Sequence, residues 1–395
     1  MPINRIFLAF LFFVSASSAA EVHTVSGKVL TGDLLSLTDK QVILGGTNGR
    51  TITPLSEVLL VDIQRESALP SGKYSDVELT DGTLLHCSRF TLKGKEVELK
   101  LASSEQVIKL PLGTVSYVLN NAEDATTRQD WGKILAKKGN QDILAVKSNG
   151  TLNALDVTFG DGNEKGEIAF ERESGGTRKK REVDPARLQG MVFVRGPNPD
   201  APPQLCKIQD VNQNLLVAAK LELTAHGLVV VTVSGLKIEL AKTTLCRLDF
   251  NNGKVVYLSD LKPVEMIIKS RQGRKETVHI DKNLENSAIK LEETVYGKGL
   301  AIHSHTELVY ALDGKYRHLE AVLGMDVMVG GNGQPVVKIE GDGKELFSAT
   351  VTRATKSQKL DVDVKGVKQL RVIVTSSGIF DFGDHVDLAD AKLGR

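Results

Sequence analysis

From residue 22 to residue 250 the chain alternates apolar and polar side chains with a period of two, and no other feature restricts its fold as strongly. Val77-Glu78-Leu79, Val97-Glu98-Leu99-Lys100-Leu101 and Leu236-Lys237-Ile238-Glu239-Leu240 each put their apolar groups on one side of an extended segment. That is the pattern of a strand with one wet face. Asp81-Gly82, Asn149-Gly150, Asp161-Gly162 and Asn252-Gly253 separate such segments. These dipeptides tolerate the positive φ of tight hairpin turns.

The segments recur as units of roughly 40–55 residues, a length that suits small β-barrel units or propeller-like blades. The first covers residues 22–63 and reads as a strand, a Thr31-Gly32-Asp33 turn, strands 34–37 and 41–44, then 50–54 and 58–63. The second covers 74–119 and carries Asp81-Gly82-Thr83-Leu84; the third covers 142–194 with Asn149-Gly150-Thr151-Leu152 in the same place. The fourth covers 205–250. Each closes on an apolar strand after a polar or Pro-containing turn, which favours paired, SH3-like or sheet-forming units. A helix is predicted over 123–138, with Trp131, Ile134 and Leu135 on one side and Gly139-Asn140 as its stop. Pro197, Pro199, Pro202 and Pro203 mark 195–204 as an extended linker.

Lys+Arg number 50 and Asp+Glu 49, a formal net charge of +1. That balance excludes a broad basic nucleic-acid footprint and a highly charged disordered chain. Met1 to Ala20 has the parts of a secretory signal: Arg5, an apolar run over 6–14, and small residues over 15–20 with Ser18 and Ala20 at −3 and −1. The apolar run is far short of the roughly 20 residues that a membrane span needs. Export, to the outside or to a periplasm or cell envelope, is the expectation. Cys87, Cys206 and Cys246 contain no CxxC pair, which disfavours zinc. A Cys206–Cys246 disulfide and three buried thiols are both compatible with export.

Residues 22–253 hold no GxSxG, HExxH or GxxxxGK[ST] motif. Asp33, Glu78, Glu98 and Glu239 fall on the polar phase of strands and read as a solvated face. Thr177-Arg178-Lys179-Lys180-Arg181 is a basic run beside Glu171, Glu173 and Glu182, and reads as part of an exposed hairpin.

From Lys254 the strands lengthen and aromatic residues become more frequent: Tyr257, Tyr296, Tyr310, Tyr316, Phe347, Phe380 and Phe382 lie here. Strands are predicted at 299–303, 307–311, 318–324, 335–340, 345–350, 359–364, 369–375 and 386–393, which suits a jelly-roll sandwich. The text begins at Val256-Tyr257-Leu258-Ser259-Asp260-Leu261-Lys262-Pro263 and Tyr296-Gly297-Lys298-Gly299-Leu300-Ala301-Ile302-His303-Ser304. It continues through Leu308-Val309-Tyr310-Ala311-Leu312-Asp313-Gly314-Lys315-Tyr316 and Leu319-Glu320-Ala321-Val322-Leu323-Gly324-Met325-Asp326. Gly341-Asp342-Gly343-Lys344-Glu345-Leu346-Phe347, Val362-Asp363-Val364-Lys365-Gly366-Val367-Lys368-Gln369-Leu370 and Asp384-His385-Val386-Asp387-Leu388-Ala389-Asp390 follow. In this order these motifs resemble the NPCBM family, carbohydrate-binding modules often attached to glycoside hydrolases including family 98. The resemblance implies a lectin-like β-sandwich with a sugar as ligand class. Two departures stand out: residues 266–291 match poorly, and Leu388 stands where the family commonly has an aromatic.

Within this part, His303, Ser304, Tyr296, Asp326, Phe382, Asp384 and His385 are the candidate ligand-binding residues. A sugar site wants an aromatic platform for the ring's C–H face and polar groups for its hydroxyls. Tyr296 and Phe382 are the candidate platforms, with core packing as the other role open to each. His303 and His305 are two apart and would face the same side of a strand. Asp381, Asp384, Asp387 and Asp390 are four acids within ten residues. They offer hard oxygen ligands for Ca²⁺, and an Asx-stabilised turn or sugar contact explains them equally.

The expected organisation is a signal peptide (1–20), repeats one and two (21–122), a helical linker (123–141), repeats three and four (142–253) and the sandwich (254–395). The fold class is all-β, with small β-barrel or sheet repeats followed by a jelly-roll β-sandwich. The expected role is non-enzymatic glycan binding by the sandwich, the repeats serving as scaffold or partner-binding part, with no nucleic acid and no membrane span. A structural or interaction protein of the envelope and an unrecognised glycoside hydrolase, or an accessory to one, are the other roles open.

Overall fold

The computed structural model describes residues 19–395 apart from positions 27, 48, 64, 149, 175, 197, 270–276, 332 and 377–382. Most of the expected signal, together with Asp381 and Phe382, lies outside the described residues. The chain divides into two compact units, Met1–Asn252 and Gly253–Arg395.

In the first unit the period-two text becomes twenty strands in four repeats of one plan. Repeat one holds β1 (Ala19–Thr24), β2 (Val29–Leu37), β3 (Gln41–Gly46), β4 (Gly49–Pro54) and β5 (Val58–Asp62). Repeat two holds β6 (Ser75–Leu79), β7 (Leu84–Lys93), β8 (Glu96–Leu101), β9 (Val107–Pro111) and β10 (Val115–Leu119). Repeat three holds β11 (Asp142–Ser148), β12 (Thr151–Gly162), β13 (Ile168–Ser174), β14 (Thr177–Val183) and β15 (Gly190–Val192). Repeat four holds β16 (Cys206–Asp210), β17 (Leu215–Leu223), β18 (Gly227–Thr232), β19 (Lys237–Ala241) and β20 (Leu245–Asp249).

In every repeat the first four strands form an antiparallel meander and the fifth returns to pair with the first. A single 3₁₀ turn precedes each fifth strand: Leu55–Glu57, Leu112–Thr114, Pro185–Arg187 and Lys242–Thr244. Pro54 and Pro111 stand just before two of these turns with φ of −60° and −66°. Proline fixes that angle and offers no N–H to a ladder, so the strand stops there. Leu55 and Leu112 then drop into the core. The repeats join through their fifth strands in a nested order. β5 pairs with β20, uniting repeats one and four, and β10 pairs with β15, uniting repeats two and three. A single register pair, Leu84 with Leu215, and the bond from His86 N to Asn214 Oδ1 (2.7 Å) link repeat two to repeat four.

α1 (Ala125–Ala136) follows repeat two, capped by Asp124, whose carboxylate accepts from Thr126 N and Thr127 N. Such a cap satisfies two otherwise orphaned donors of the first turn. The helix is pinned on both sides. Arg128 bonds the buried Asp76 and the Tyr74 hydroxyl, and His86 Nδ1 lies 2.7 Å from the same Asp76 carboxylate. Trp131 stands edge-on to Tyr117 and covers the start of β15. A Cβ at Gly190 would come within 2.8 Å of both the Trp131 ring and the Val118 carbonyl.

Two local expectations are corrected. Thr31-Gly32-Asp33 is not a turn but the middle of β2; Val25 and Ser26 are in the turn, and Thr24 Oγ1 accepts from Lys28 N at 3.0 Å. Gly32 is there because β3 passes so close that a Cβ would meet the Gly45 oxygen at 2.4 Å. The Cys206–Cys246 disulfide is not formed. Lys207 faces Asp249 and Gln209 faces Arg247, so the two cysteines sit about four residues apart along the ladder, roughly 13 Å, well beyond disulfide reach. Both are buried, and the Cys246 thiol donates to the Arg65 carbonyl.

The second unit is a β-sandwich with the jelly-roll habit of crossing between sheets. One sheet runs β22 (Glu265–Ile268), β27 (Thr306–Ala311), β32 (Gln369–Ser376), β29 (Pro335–Gly341), β30 (Lys344–Thr350). The other runs β23 (His279–Ile280), β26 (Gly299–His303), β33 (His385–Gly394), β28 (His318–Gly324), β31 (Gln358–Asp363), with β21 (Val255–Tyr257) also on β33. A hairpin of β24 (Ile289–Leu291) and β25 (Thr294–Tyr296) stands apart. Leu300, Ile302, Leu308, Tyr310, Val372, Val386 and Leu388 fill the space between the sheets.

The close approach at Gly190 gives a measurable expectation. Gly190→Ala should destabilise the first unit by about 1–3 kcal/mol through overpacking, read as a lower melting temperature. Gly113→Ala, where the added Cβ has no atom within 4 Å, should change stability by less than about 0.5 kcal/mol.

Candidate functional site

β33 is the central strand of its sheet and is buried along almost its whole length. Val386 and Leu388 point into the sandwich core. His385 and Asp387, on the alternate phase, therefore face outward. That outer face is covered by the β24–β25 hairpin, since Ala389 on the same phase packs with Ile289, Leu291 and Tyr296. His303 lies directly opposite His385 on β26, and Ala301 and Gly324 flank Asp387 from the two neighbouring strands.

The loop after β28 closes this end of the sheet. Asp326, fully buried, accepts from Met328 N and Lys290 N, each at 2.7 Å. One carboxylate thus fastens its own loop and the hairpin together. Arg353 ties the loop from outside, donating from Nε to the Gly331 carbonyl at 2.9 Å and from its other nitrogens to those of Asp326 and Val329. Asp384 Oδ1 accepts from Gln334 N at 2.7 Å, and the Asp384 carbonyl accepts from Ser304 N at 3.0 Å. Glycine is demanded at 333, where a Cβ would sit 2.2 Å from Asp384 Oδ1.

Within this cluster several buried polar atoms have no hydrogen-bond partner among the described residues: Asp384 Oδ2, His385 Nε2 and both carboxyl oxygens of Asp387. Such groups are rare in folded proteins and costly. Burial pushes the Asp387 carboxyl up to about 8, and the Asp326 charge adds to the effect. At neutral pH Asp387 is therefore mostly protonated. Burial likewise pushes the His385 imidazole below its usual range, with Arg353 and His303 also disfavouring its charge. Its Nδ1 lies 3.0 Å from the Gly383 carbonyl, which makes Nδ1 the donor and leaves Nε2 of the neutral ring an acceptor.

The structure thus brings together His303, Ser304, Asp326, Asp384 and His385. Tyr296 is not with them. It packs beside Ala389, four residues along β33 from His385, roughly 13 Å away. His303 and His305 do not share a strand either: β26 ends at His303, and His305 occupies the following turn with φ +60°. Phe382 lies outside the described residues.

The described acids among the four expected as Ca²⁺ ligands are not gathered around one point. Among the described residues no three His, Cys, Asp or Glu side chains stand close enough to hold one ion. Asp384 belongs to the loop, Asp387 is sealed under the hairpin, and Asp390, at φ +51°, turns to Lys392 Nζ at 3.0 Å. Asp381 lies outside the described residues. Leu388 is fully buried in the core, so the lack of an aromatic there bears on packing and not on ligand stacking.

Sequence reasoning passed over Arg353, Val327 and Met328. Met328 is 64% and Val327 43% exposed beside the Asp326 turn, an apolar rim next to polar groups. Their run Asp326-Val327-Met328-Val329 alternates with nothing, and Arg353 sits alone in a polar turn, so neither carried a periodic signal.

Residues 254–394 match the family model of the NPCBM/NEW2 domain. The second unit is an NPCBM/NEW2 domain. A Renibacterium salmoninarum protein named "Putative endo-alpha-N-acetylgalactosaminidase" is 30% identical over 105 residues, 26% of this chain and 7% of that protein. The chain thus spans only a small part of that relative. A CBM51 module from Clostridium perfringens GH95, solved in complex with methyl-galactose, is 27% identical; the match covers 35% of this chain and 99% of that one, with a TM-score of 0.32. A structure of CBM51-2, in complex with GlcNAc, and INT domains from Clostridium perfringens ZmpB is 26% identical, covering 42% and 36% of the two chains with a TM-score of 0.33.

The raised Asp387 carboxyl fixes a pH dependence for the NPCBM unit. Its proton is held more tightly folded than unfolded, so its contribution to stability is greatest below the unfolded value of 3.8 and declines as pH rises toward about 8. Asp387→Asn should lack this decline. The variant's gain in melting temperature over the parent should be larger at pH 9 than at pH 5; a gain equal at both would contradict the assignment.

Proposed function

We propose that this chain is an exported, non-catalytic glycan-binding protein whose NPCBM unit holds a sugar at the Asp326–Asp384–His385 end of the sandwich. The observation that carries this reading is the cluster of buried, unsatisfied polar atoms at that end, in a domain whose family is one of carbohydrate-binding modules. Sugar hydroxyls both donate and accept. Asp384 Oδ2 and the neutral His385 Nε2 offer acceptors to them, and Val327 and Met328 offer an apolar rim to a ring's C–H face. Arg5, the apolar run after it and the small residues up to Ala20 support export.

The carboxyls of Asp326 and Asp387, which influence one another electrostatically, speak for binding over hydrolysis. A glycosidase needs two carboxyl groups flanking the scissile bond. Asp326 and Asp387 are both fully buried, and Asp326 is occupied by two backbone N–H groups. The first unit then serves as the scaffold that presents the module, or as a partner-binding part.

A glycan array probed with the full chain tests this, with galactose- and N-acetylhexosamine-terminated glycans among the ligands. Retention of at least one glycan class is expected, and none across the array would overturn the reading. Met328→Asp should weaken binding at least about tenfold, near 1.4 kcal/mol, with an unchanged melting temperature. Tyr296→Ala should stay within about twofold, because Tyr296 lies some four residues away along β33. Bound glycans should release no reducing sugar; steady release would show an enzyme instead.

A further inference from the structure

The basic run in repeat three has no part in the sugar site, and the register of its hairpin gives it an unexpected order. In the β13–β14 ribbon Glu171 faces Lys180 and Glu173 faces Arg178, so opposite charges oppose one another on one face. On the other face Arg172 stands directly opposite Lys179, and Arg181 follows two residues on, opposite Phe170. Arg172, Lys179 and Arg181 are all exposed, and among the described residues no carboxylate lies within ion-pair distance of them. This cationic face is the outward continuation of the core-facing one. Along β13 the same phase passes from fully buried Ile168 through half-buried Phe170 to exposed Arg172. The ribbon outruns its core, and where it overhangs the apolar side chains give way to cations.

β14 is also an open edge: among the described residues it pairs only with β13. Lysines on an edge strand discourage aggregation. That role explains β14 alone and gives no reason for Arg172 on the neighbouring strand, where it meets Lys179 at a distance at which like charges repel.

We propose that β14 accepts an extended acidic peptide of a partner protein as an added strand, with acidic side chains at alternate positions set against Arg172, Lys179 and Arg181. Every second amide and carbonyl of β14 faces away from β13 and would supply the main-chain bonds of such an addition. Side chains two apart on the incoming strand fall on one face. An acid-x-acid spacing therefore meets the cationic face, while the intervening residues lie over the already balanced face. No exposed aromatic accompanies the cations, which disfavours a single-stranded nucleic acid.

Fluorescence anisotropy of the full chain with a labelled seven-residue peptide of alternating Thr and Glu provides the test at low ionic strength. Saturable binding is expected, with slowed hydrogen exchange at β14 amides. Lys179→Glu with Arg181→Glu should weaken binding at least tenfold, whereas Arg178→Glu with Lys180→Glu should change it less than threefold. Equal loss in the two double variants would show general attraction to anions and overturn the proposal. Equal binding of a peptide of the same composition with its Glu residues contiguous would do the same. Absence of binding at millimolar peptide would also overturn it.

Discussion

The first unit depends on one constraint, the return of each repeat's fifth strand to its first. The 3₁₀ turn before that strand carries the chain from the fourth strand across to the first without reversing its sense, and so lets a five-strand meander close on itself. Closure pairs one edge of the fifth strand and leaves the other open. An open row of backbone N–H and C=O groups invites pairing, and the repeats meet the need by joining fifth strand to fifth strand, β5 with β20 and β10 with β15. Nesting follows from this choice. The outermost repeats in sequence pair with each other, the innermost pair does likewise, and the helix leaves the chain room to turn between repeats two and three. What the arrangement cannot cover is the fourth strand of each repeat. β4, β9, β14 and β19 each have one partner among the described residues. Among the described residues of the first unit, an association that extends a sheet would begin at one of them.

Local structure was largely legible in the sequence, because alternation and turn residues act over a few positions. The eight predicted strands of the sandwich fall within one or two residues of where the pattern puts them, and the helix after repeat two, Ala125–Ala136, falls inside the predicted 123–138. What depends on distant neighbours was not legible. Gly32 looks like a turn residue beside Thr31 and Asp33, yet it serves a close approach to Gly45 that only β3 reveals. Cys206 and Cys246 look like a pair flanking a repeat, and only the register shows them offset along the ladder. The nesting of repeats has no local signature at all.

The site at the end of the sandwich shows the same division. His303, Ser304, Asp326, Asp384 and His385 lie together because they fall in or beside the family motifs at strand ends, and strand ends of one sheet gather in space. The acids near the C-terminus misled because spacing in sequence says little about facing once a strand begins. Asp384 stands before β33, Asp387 lies within it under the hairpin, and Asp390 is turned aside by a left-handed backbone. Three carboxyls at intervals of three thus enter three environments. One fastens a loop, one is driven to its neutral form by burial, and one pairs with a lysine. Burial, which the sequence did not disclose, decides the chemistry of each.

Register carries the same weight in the β13–β14 ribbon. A shift of one residue between the two strands would move every side chain of one strand to the other face. Arg172 would then share its face with Arg178 and Lys180, and Glu171 would meet Lys179 or Arg181, so a cationic face would remain but with a different set of cations on it. Two apolar anchors hold the register that exists. Phe159 faces Phe170 across β12 and β13 and packs on Phe193 with ring centroids 5.0 Å apart, and Ile168 opposite Val183 is fully buried. Slippage would expose these side chains, at roughly 1.5–3 kcal/mol for each large one. A charge pattern at the exposed tip is thus fixed by apolar packing at the buried base. Because strand periodicity is two, that packing also dictates which cations can act together.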